Sequence, residues 1–280
     1  MRIPSFLLGA ALLAASLTAS AADRDDSASE KLGIKLSLQC WTYRELTFFE
    51  AVDRAKTLGI KYIEMFPGQK LKPGSNIKVG RGMDDATADE IKAKLSANGQ
   101  SLVAYGVDGI PEDEAGARKD FEWAKKMGIQ VLVTETTPSE MLDKLCNEYH
   151  IKMALHNHPQ SWPPEKVLEK TKDCSAWVGS CSDTGHWQRR GWVPVEQMEK
   201  LQGRVIHCHF KDLNKLAGDG HDEVWGTGVG DAKGILAELK KLGYKGYTSI
   251  EYENTKVADL DVNLPKCVTF FDATLTELAK

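Results

Sequence analysis

Leu58-Gly59-Ile60-Lys61-Tyr62, Met127-Gly128-Ile129-Gln130-Val131 and Leu242-Gly243-Tyr244-Lys245-Gly246-Tyr247 are three copies of one joint. In each, an amphipathic stretch ends at a Gly free to take the left-handed conformation that closes a helix, and an apolar run of strand character follows at once. Outward from these joints, the chain beyond position 34 alternates short apolar runs with helical stretches, as βα units around a parallel sheet do. Eight strands are expected, at 34–40, 61–65, 101–105, 130–134, 152–155, 178–182, 205–210 and 247–250. Helices are expected between them at 48–57, 87–97, 115–126, 139–149 and 234–242, with a last one near 264–278.

Eight such units predict one closed (β/α)8 TIM barrel of the α/β class, because closure removes the sheet edges that an open sheet must protect. A doubly wound open sheet is the competing arrangement. It lacks its usual phosphate loop here, since the first strand runs into Gln39-Cys40-Trp41-Thr42-Tyr43 with no GxGxxG or GxxxxGK[ST] pattern. A barrel fills about 250 residues, which fits residues 32–280 as a single domain.

Ahead of the barrel, residues 1–21 read as a cleaved export signal: Met1 and Arg2, an apolar run from Phe6 to Leu17, then Ala19-Ser20-Ala21. Residues 22–31 read as a polar lead-in. The apolar run is shorter than the roughly 20 residues that span a bilayer, so the mature protein is expected to be exported, periplasmic or secreted, and free of the membrane. The full chain carries a net charge of −4, and removal of one Arg with the leader takes it to −5. Proteins that live on phosphate backbones carry a basic excess instead, so nucleic acid is not an expected partner. Six cysteines (Cys40, Cys146, Cys174, Cys181, Cys208, Cys267) include no CxxC pair. They read as buried small apolar residues with room for one disulfide rather than as a zinc framework.

In a barrel, the strand C-termini converge on one face, where polar residues serve chemistry rather than packing. The second strand ends in Glu64, the fourth in Glu135, the fifth in His156-Asn157-His158 and the sixth in Asp183-Thr184-Gly185-His186. The seventh ends in His207-Cys208-His209-Phe210-Lys211-Asp212, and the eighth in Glu251-Tyr252-Glu253. Five of the seven histidines fall on this rim. Alternation along a strand puts His156 with His158, His207 with His209 and Glu251 with Glu253 on one side. Imidazoles and carboxylates from separate strands suit a borderline divalent cation with an open position, and a neighbouring carboxylate or imidazole can then take a proton from carbon.

Taken together, Tyr62-Ile63-Glu64, Leu155-His156-Asn157-His158, Ser182-Asp183-Thr184-Gly185-His186, His207 through Asp212, Gly226-Thr227-Gly228 and the run from Gly243 to Glu251 resemble the sugar phosphate isomerase/epimerase superfamily. These are xylose isomerase-like TIM barrels that also include nucleases of the endonuclease IV type. The resemblance spans nearly the whole mature chain. It implies one divalent metal (Mn, Co, Zn or Mg) held by a Glu, an Asp, a His and a Glu after the fifth to eighth strands. Asp183, His209 and Glu251 match. The fifth-strand Glu is replaced by His156, so either His156 ligates directly or Glu135 supplies the missing carboxylate.

Among the remaining rim residues, Glu251, His158, His186, Lys211 and Glu64 are the candidates for proton transfer and charge stabilisation. His186 stands where the family has a substrate-contacting His, and Lys211 is expected either to stabilise a developing enolate oxygen or to pair with Asp212. Trp41, Tyr43 and Trp187 are candidate sugar-stacking walls. The Gly-rich loop 214–230 is expected to close over substrate or to be a mobile excursion.

The implied activity is proton abstraction α to a sugar carbonyl through a metal-stabilised enediolate, giving isomerisation or epimerisation. The expected partner is a small sugar or glycoside. Export and the lack of a phosphate cradle favour a substrate other than a sugar phosphate, so elimination from a 3-keto-glycoside is the second reading. A sugar-binding protein without turnover is a third, and a phosphodiesterase of the endonuclease IV type is the least favoured.

Overall fold

The computed structural model describes residues 24–253 and 256–280. The expected leader, 1–21, lies outside the described residues. Eight parallel strands, β1 (Ile34–Gln39), β2 (Tyr62–Met65), β3 (Ser101–Tyr105), β4 (Val131–Thr134), β5 (Lys152–His156), β6 (Val178–Asp183), β7 (Val205–Phe210) and β8 (Gly246–Ile250), pair in sequence order. The ring closes by β1 against β8, with Ile34 opposite Gly246 and Leu38 opposite Ile250. The helices are α1 (Ser27–Leu32), α2 (Phe48–Thr57), α3 (Asp85–Asn98), α4 (Glu114–Met127), α5 (Glu140–Tyr149), α6 (Pro164–Thr171), α7 (Thr184–Arg189), α8 (Pro194–Leu201), α9 (Ala232–Lys241) and α10 (Val257–Leu278). No helix among the described residues is long and apolar enough to cross a membrane.

Local chemistry sets these boundaries. Gly59, Gly128 and Gly243, the glycines of the three joints, all have positive φ, of 69°, 81° and 67°. Thr47 and Glu50 form a capping box at the start of α2, and Asp84, Asp113, Ser139 and Asp231 each accept a backbone N–H in the first turn of their helices. α6 and α8 begin with Pro at the first turn, where no N–H donor is lost to the helix.

Two apolar layers result. The larger lies between sheet and helices and includes Phe48, Ile91, Phe121, Leu145, Met198, Leu239 and Phe271. The smaller fills the barrel interior with Val103, Val131, Val133, Ala154, Cys181 and Ile206. Toward the strand C-termini the interior turns polar, with Ser37, Gln39, Glu64, His207, His209 and Ser249 all buried.

The lead-in departs from expectation: from Ser27 it is α1, packed on α10 and closed by Gly33 in the left-handed conformation. Arg24 pairs with Asp26 and Asp272, tying this segment to the last helix. All six cysteines are free thiols, and all but Cys174 are buried. Loop 214–230 is anchored along its length rather than free. Leu213 bridges Asp222, and Trp225 is buried against Phe210 and Phe271. The Asp212 carboxylate accepts the N–H groups of Gly226, Gly228 and Gly230.

Candidate active site

The strand ends build the site in two tiers. The lower tier is Glu64, fully buried at the end of β2. Its Oε1 accepts from His209 Nε2 at 2.8 Å and from Gln39 Nε2 at 2.9 Å. Its Oε2 accepts from His207 Nε2 at 2.8 Å and from Ser249 Oγ at 2.5 Å. Burial alone would raise the Glu64 pKa, but His209 and His207 outweigh it and hold the carboxyl well below the ordinary range. An ionised Glu64 holds the His209 proton on Nε2, so Nδ1 is the nitrogen facing the upper tier. Burial opposes a second proton there, but Cys181, Glu64 and Glu251 raise the His209 pKa, and a cation would take the place of that Nδ1 proton.

The upper tier is His156, Asp183, His209 and Glu251. One ligand atom from each lies within 4.8 Å of all the others, and all four residues are buried. His209 Nδ1 stands 3.1 Å from Glu251 Oε2 and His156 Nε2 stands 3.4 Å from Asp183 Oδ2. Neither approach has hydrogen-bond geometry, so His209 Nδ1 and both nitrogens of His156 are buried without a hydrogen-bond partner. Asp183 is placed by its surroundings. Asn157 brackets its backbone with two hydrogen bonds, and its Oδ1 caps α7 by accepting from His186 N at 2.7 Å. Oδ2 is thereby left for the centre.

Between the two upper carboxylates runs Lys211, also fully buried. Its Nζ is 2.6 Å from Asp183 Oδ2 and 2.5 Å from Glu251 Oε2. The lysine stem passes over Gly185, where an added Cβ would fall 2.5 Å from Lys211 Cδ. Burial opposes ionisation of Glu251, but Lys211 and His209 bring its pKa down to about 2, and Asp183 is likewise held low by Lys211 against burial. Three ionised carboxylates outnumber the Lys211 ammonium and the His209 ring they help to protonate, and His156 and His209 turn nitrogens without hydrogen-bond partners toward them. That donor set fits a divalent cation.

Above the centre is a pocket of 280 Å³ lined by Gln39, Trp41, Phe66, His158, His186, Glu251 and Glu253, among others. His158 is half exposed, with Nδ1 2.8 Å from Glu135 Oε1, and Ser161 holds the same oxygen. His186 Nδ1 lies 3.4 Å from Arg189 Nη1, which can only donate, so the His186 proton sits on Nε2. Burial, aided by Lys211 and His156 against the pull of Asp183, lowers the His186 pKa to about 2 and keeps the ring neutral. Arg189 also pairs with Glu253 at 2.6 Å. Trp41 is exposed on the wall and meets Phe66 edge-on at 5.1 Å between ring centroids.

Several residues sit differently from expectation. Tyr43 and Trp187 are buried away from the pocket lining. Residues Cys40–Tyr43 form a 3-10 turn, which breaks strand alternation and carries Tyr43 off the face that Trp41 occupies. Trp187 follows His186 on α7 and points into the packing under that helix. Glu64 lies behind His209 and outside the pocket lining, so it is an orienting group. Lys211 meets Asp183 and Glu251, not Asp212, whose carboxylate is taken by loop amides. Glu135 clusters with His158 and His156 rather than with Asp183, His209 and Glu251. Gln39, Asn157 and Arg189 escaped the sequence reading, because their roles arise from contacts across neighbouring strand ends.

A closed parallel barrel with a His and carboxylate cluster at the strand C-termini is a TIM barrel with a candidate metal centre. The family profile described as xylose isomerase-like TIM barrel matches residues 52–266, and the chain belongs to that family. Inosose dehydratase of Histophilus somni is 35% identical over 135 residues, 40% of this chain and 44% of that protein. The chain thus spans less than half the length of the curated relatives it matches. An uncharacterised protein from Parabacteroides distasonis shares the fold with a TM-score of 0.70 and 28% identity, over 85% of this chain and 98% of that one. The IolI protein, solved with a bound zinc atom, has a TM-score of 0.64 at 18% identity, over 87% and 98%.

Proposed function

We propose that this protein is a divalent-metal-dependent sugar isomerase or epimerase that moves a proton on the carbon next to a carbonyl. One observation carries the reading: four buried ligand atoms of His156, Asp183, His209 and Glu251 within 4.8 Å, opening on a pocket walled by an aligned imidazole. Family membership, the inosose dehydratase relative and the zinc-bound IolI structure support it. A cation held by these four residues supplies Lewis-acid polarisation of a substrate oxygen.

The chain's own side chains do the rest. Glu135 accepts a hydrogen bond from His158 Nδ1–H, so His158 Nε2 carries a free lone pair positioned as general base, and the protonated ring returns the proton as acid. His186, neutral and protonated on Nε2, donates to a substrate oxygen. Lys211 keeps Asp183 and Glu251 ionised and fixed. Trp41 and Phe66 offer an apolar wall to the C–H face of a sugar ring. The pocket, 280 Å³, sits at the small end of the ~300–1,000 Å³ usual for ligand sites, the scale of one ring.

One further observation favours eliminative cleavage of a 3-keto-glycoside as the second reading. A cleft of 730 Å³ adjoins the pocket across the same Trp41 and Phe66, which gives an aglycone somewhere to lie. The leader read at residues 1–21 supports action outside the cytosol, where glycosides are met.

The test is deuterium exchange, followed by NMR, on metal-loaded protein given free ketoses and 3-keto-glycosides. Wild type is expected to exchange the proton α to the carbonyl or release aglycone. His158→Gln should lose about 10²-fold or more while keeping its metal. Absence of both exchange and release in the wild type overturns the reading.

A further inference from the structure

At the opposite end of the barrel, the strand N-termini surround a second cavity of 480 Å³. Lys35, the second residue of β1, Lys152, the first of β5, and Lys245, just ahead of β8, all line it. β5 lies across the ring from β8 and β1, yet Lys152 Nζ reaches the carbonyl oxygen of Lys245 at 3.4 Å. The three side chains therefore line one mouth, with Lys152 crossing the ring to the backbone of Lys245. Lys245 is laid down over Gly33, where an added Cβ would fall 2.3 Å from its Cδ, and its ammonium donates to Leu32 O. Lys35 Nζ sits 5.4 Å from the ring centroids of both Tyr62 and Tyr247. The rest of the wall includes His150, stacked against Trp177 at 5.4 Å.

No Asp or Glu lines this cavity, in a chain whose acids outnumber its bases. Among the described residues, the partners of these ammonium groups are two carbonyl oxygens and two aromatic faces. Like charges brought together without a counter-charge repel, and Lys152 is also partly desolvated: burial lowers its pKa with no acidic group to offset it. By contrast, the half-buried Arg81 is matched by Asp108 and Asp120, and Arg189 by Asp222 and Glu253.

From this geometry we infer that the N-terminal mouth of the barrel is a binding site for a tetrahedral oxyanion, a phosphate or sulfate group, held by Lys35, Lys152 and Lys245. The ligand supplies the missing counter-charge, and the aromatic wall and the cavity volume leave room for an organic substituent on it. The site lies at the end of the strands remote from the metal cluster and does not depend on the reaction proposed there.

The experiment is thermal unfolding and calorimetric titration of the full chain with inorganic phosphate, sulfate and phenyl phosphate, at ionic strength held constant with chloride. Phosphate or sulfate is expected to raise the unfolding temperature saturably, by about 5 °C at 100-fold excess over its dissociation constant. The double variant Lys152→Met, Lys245→Met should bind at least 10-fold more weakly. In chloride alone it should unfold no earlier than wild type, because methionine keeps the stem packing and removes uncompensated charge. No saturable response to any of the three probes, or an equal response in the double variant, overturns the site.

Discussion

Glu64 is the residue on which the upper tier turns, although it lies outside the pocket lining. A His that presents Nδ1 to a cation needs its Nε2 proton held, and Glu64 Oε1 does this at 2.8 Å while Gln39 and Ser249 keep the carboxylate from rotating. Glu64→Gln preserves shape and removes the charge that stabilises the proton. The amide also cannot accept from both His207 and His209 with equivalent oxygens. Zinc affinity measured by competition titration should fall about 10–100-fold, with the far-ultraviolet dichroism unchanged. Equal affinity in the variant would remove Glu64 from any part in orienting His209.

Among the elements, the loop from Leu213 to Gly230 shows how local chemistry replaces regular structure. Asp212 gathers three amide groups, and this needs glycine at the points of closest approach. A Cβ at Gly228 would fall 2.4 Å from Asp212 Oδ1 and 2.5 Å from Leu213 O, whereas one at Gly218, on the same loop, would meet nothing closer than 3.8 Å. Gly228→Ala should therefore cost about 1–3 kcal/mol in urea unfolding and Gly218→Ala within about 0.5 kcal/mol. Equal losses would mean that the clamp contributes nothing. The same contrast explains how far the sequence could be read. The barrel was legible because the Gly59, Gly128 and Gly243 joints are local, with cap and strand entry within five residues. Asp183, His209 and Glu251 were legible because strand ends face one mouth in this fold. Tyr43, Trp187 and Lys211 were not, since a 3-10 turn, the far side of a short helix and a salt bridge across three strands are set by tertiary packing. Glu135 was ambiguous from sequence because its neighbour His158 stands beyond the end of β5, where alternation no longer applies.

Across the whole molecule, two sets of acids drive stability in opposite directions with pH. Glu64, Asp183 and Glu251 titrate below their ordinary values in the folded chain. Their contribution is fully present above the unfolded values of 4.5 and 3.8, and is lost as pH falls toward about 2, where Glu251 takes up its proton. Asp222 runs the other way. Burial, with Glu253 adding to it over the opposing Lys211 and Arg189, raises its pKa from 3.8 to about 7. One of its oxygens, Oδ1, has no hydrogen-bond partner. The folded chain binds this proton more tightly than the unfolded chain, so its contribution is complete below pH 3.8 and drains away as pH rises through 7. Buried His156, His186 and His207, which burial keeps neutral, add stability that is lost as pH falls below the ordinary imidazole value, so the Asp222 contribution is read as the difference between wild type and a variant at this one position. Asp222→Asn keeps the shape, places no charge beside Glu253 and removes only the Asp222 contribution. Urea midpoints at pH 5.5 and 8.5, taken in chelator to exclude metal, should move in the variant's favour relative to wild type as pH rises, while both lose stability alike below pH 4. Parallel profiles for the two proteins from pH 5.5 to 8.5 would show that Asp222 is already ionised without cost in the folded chain.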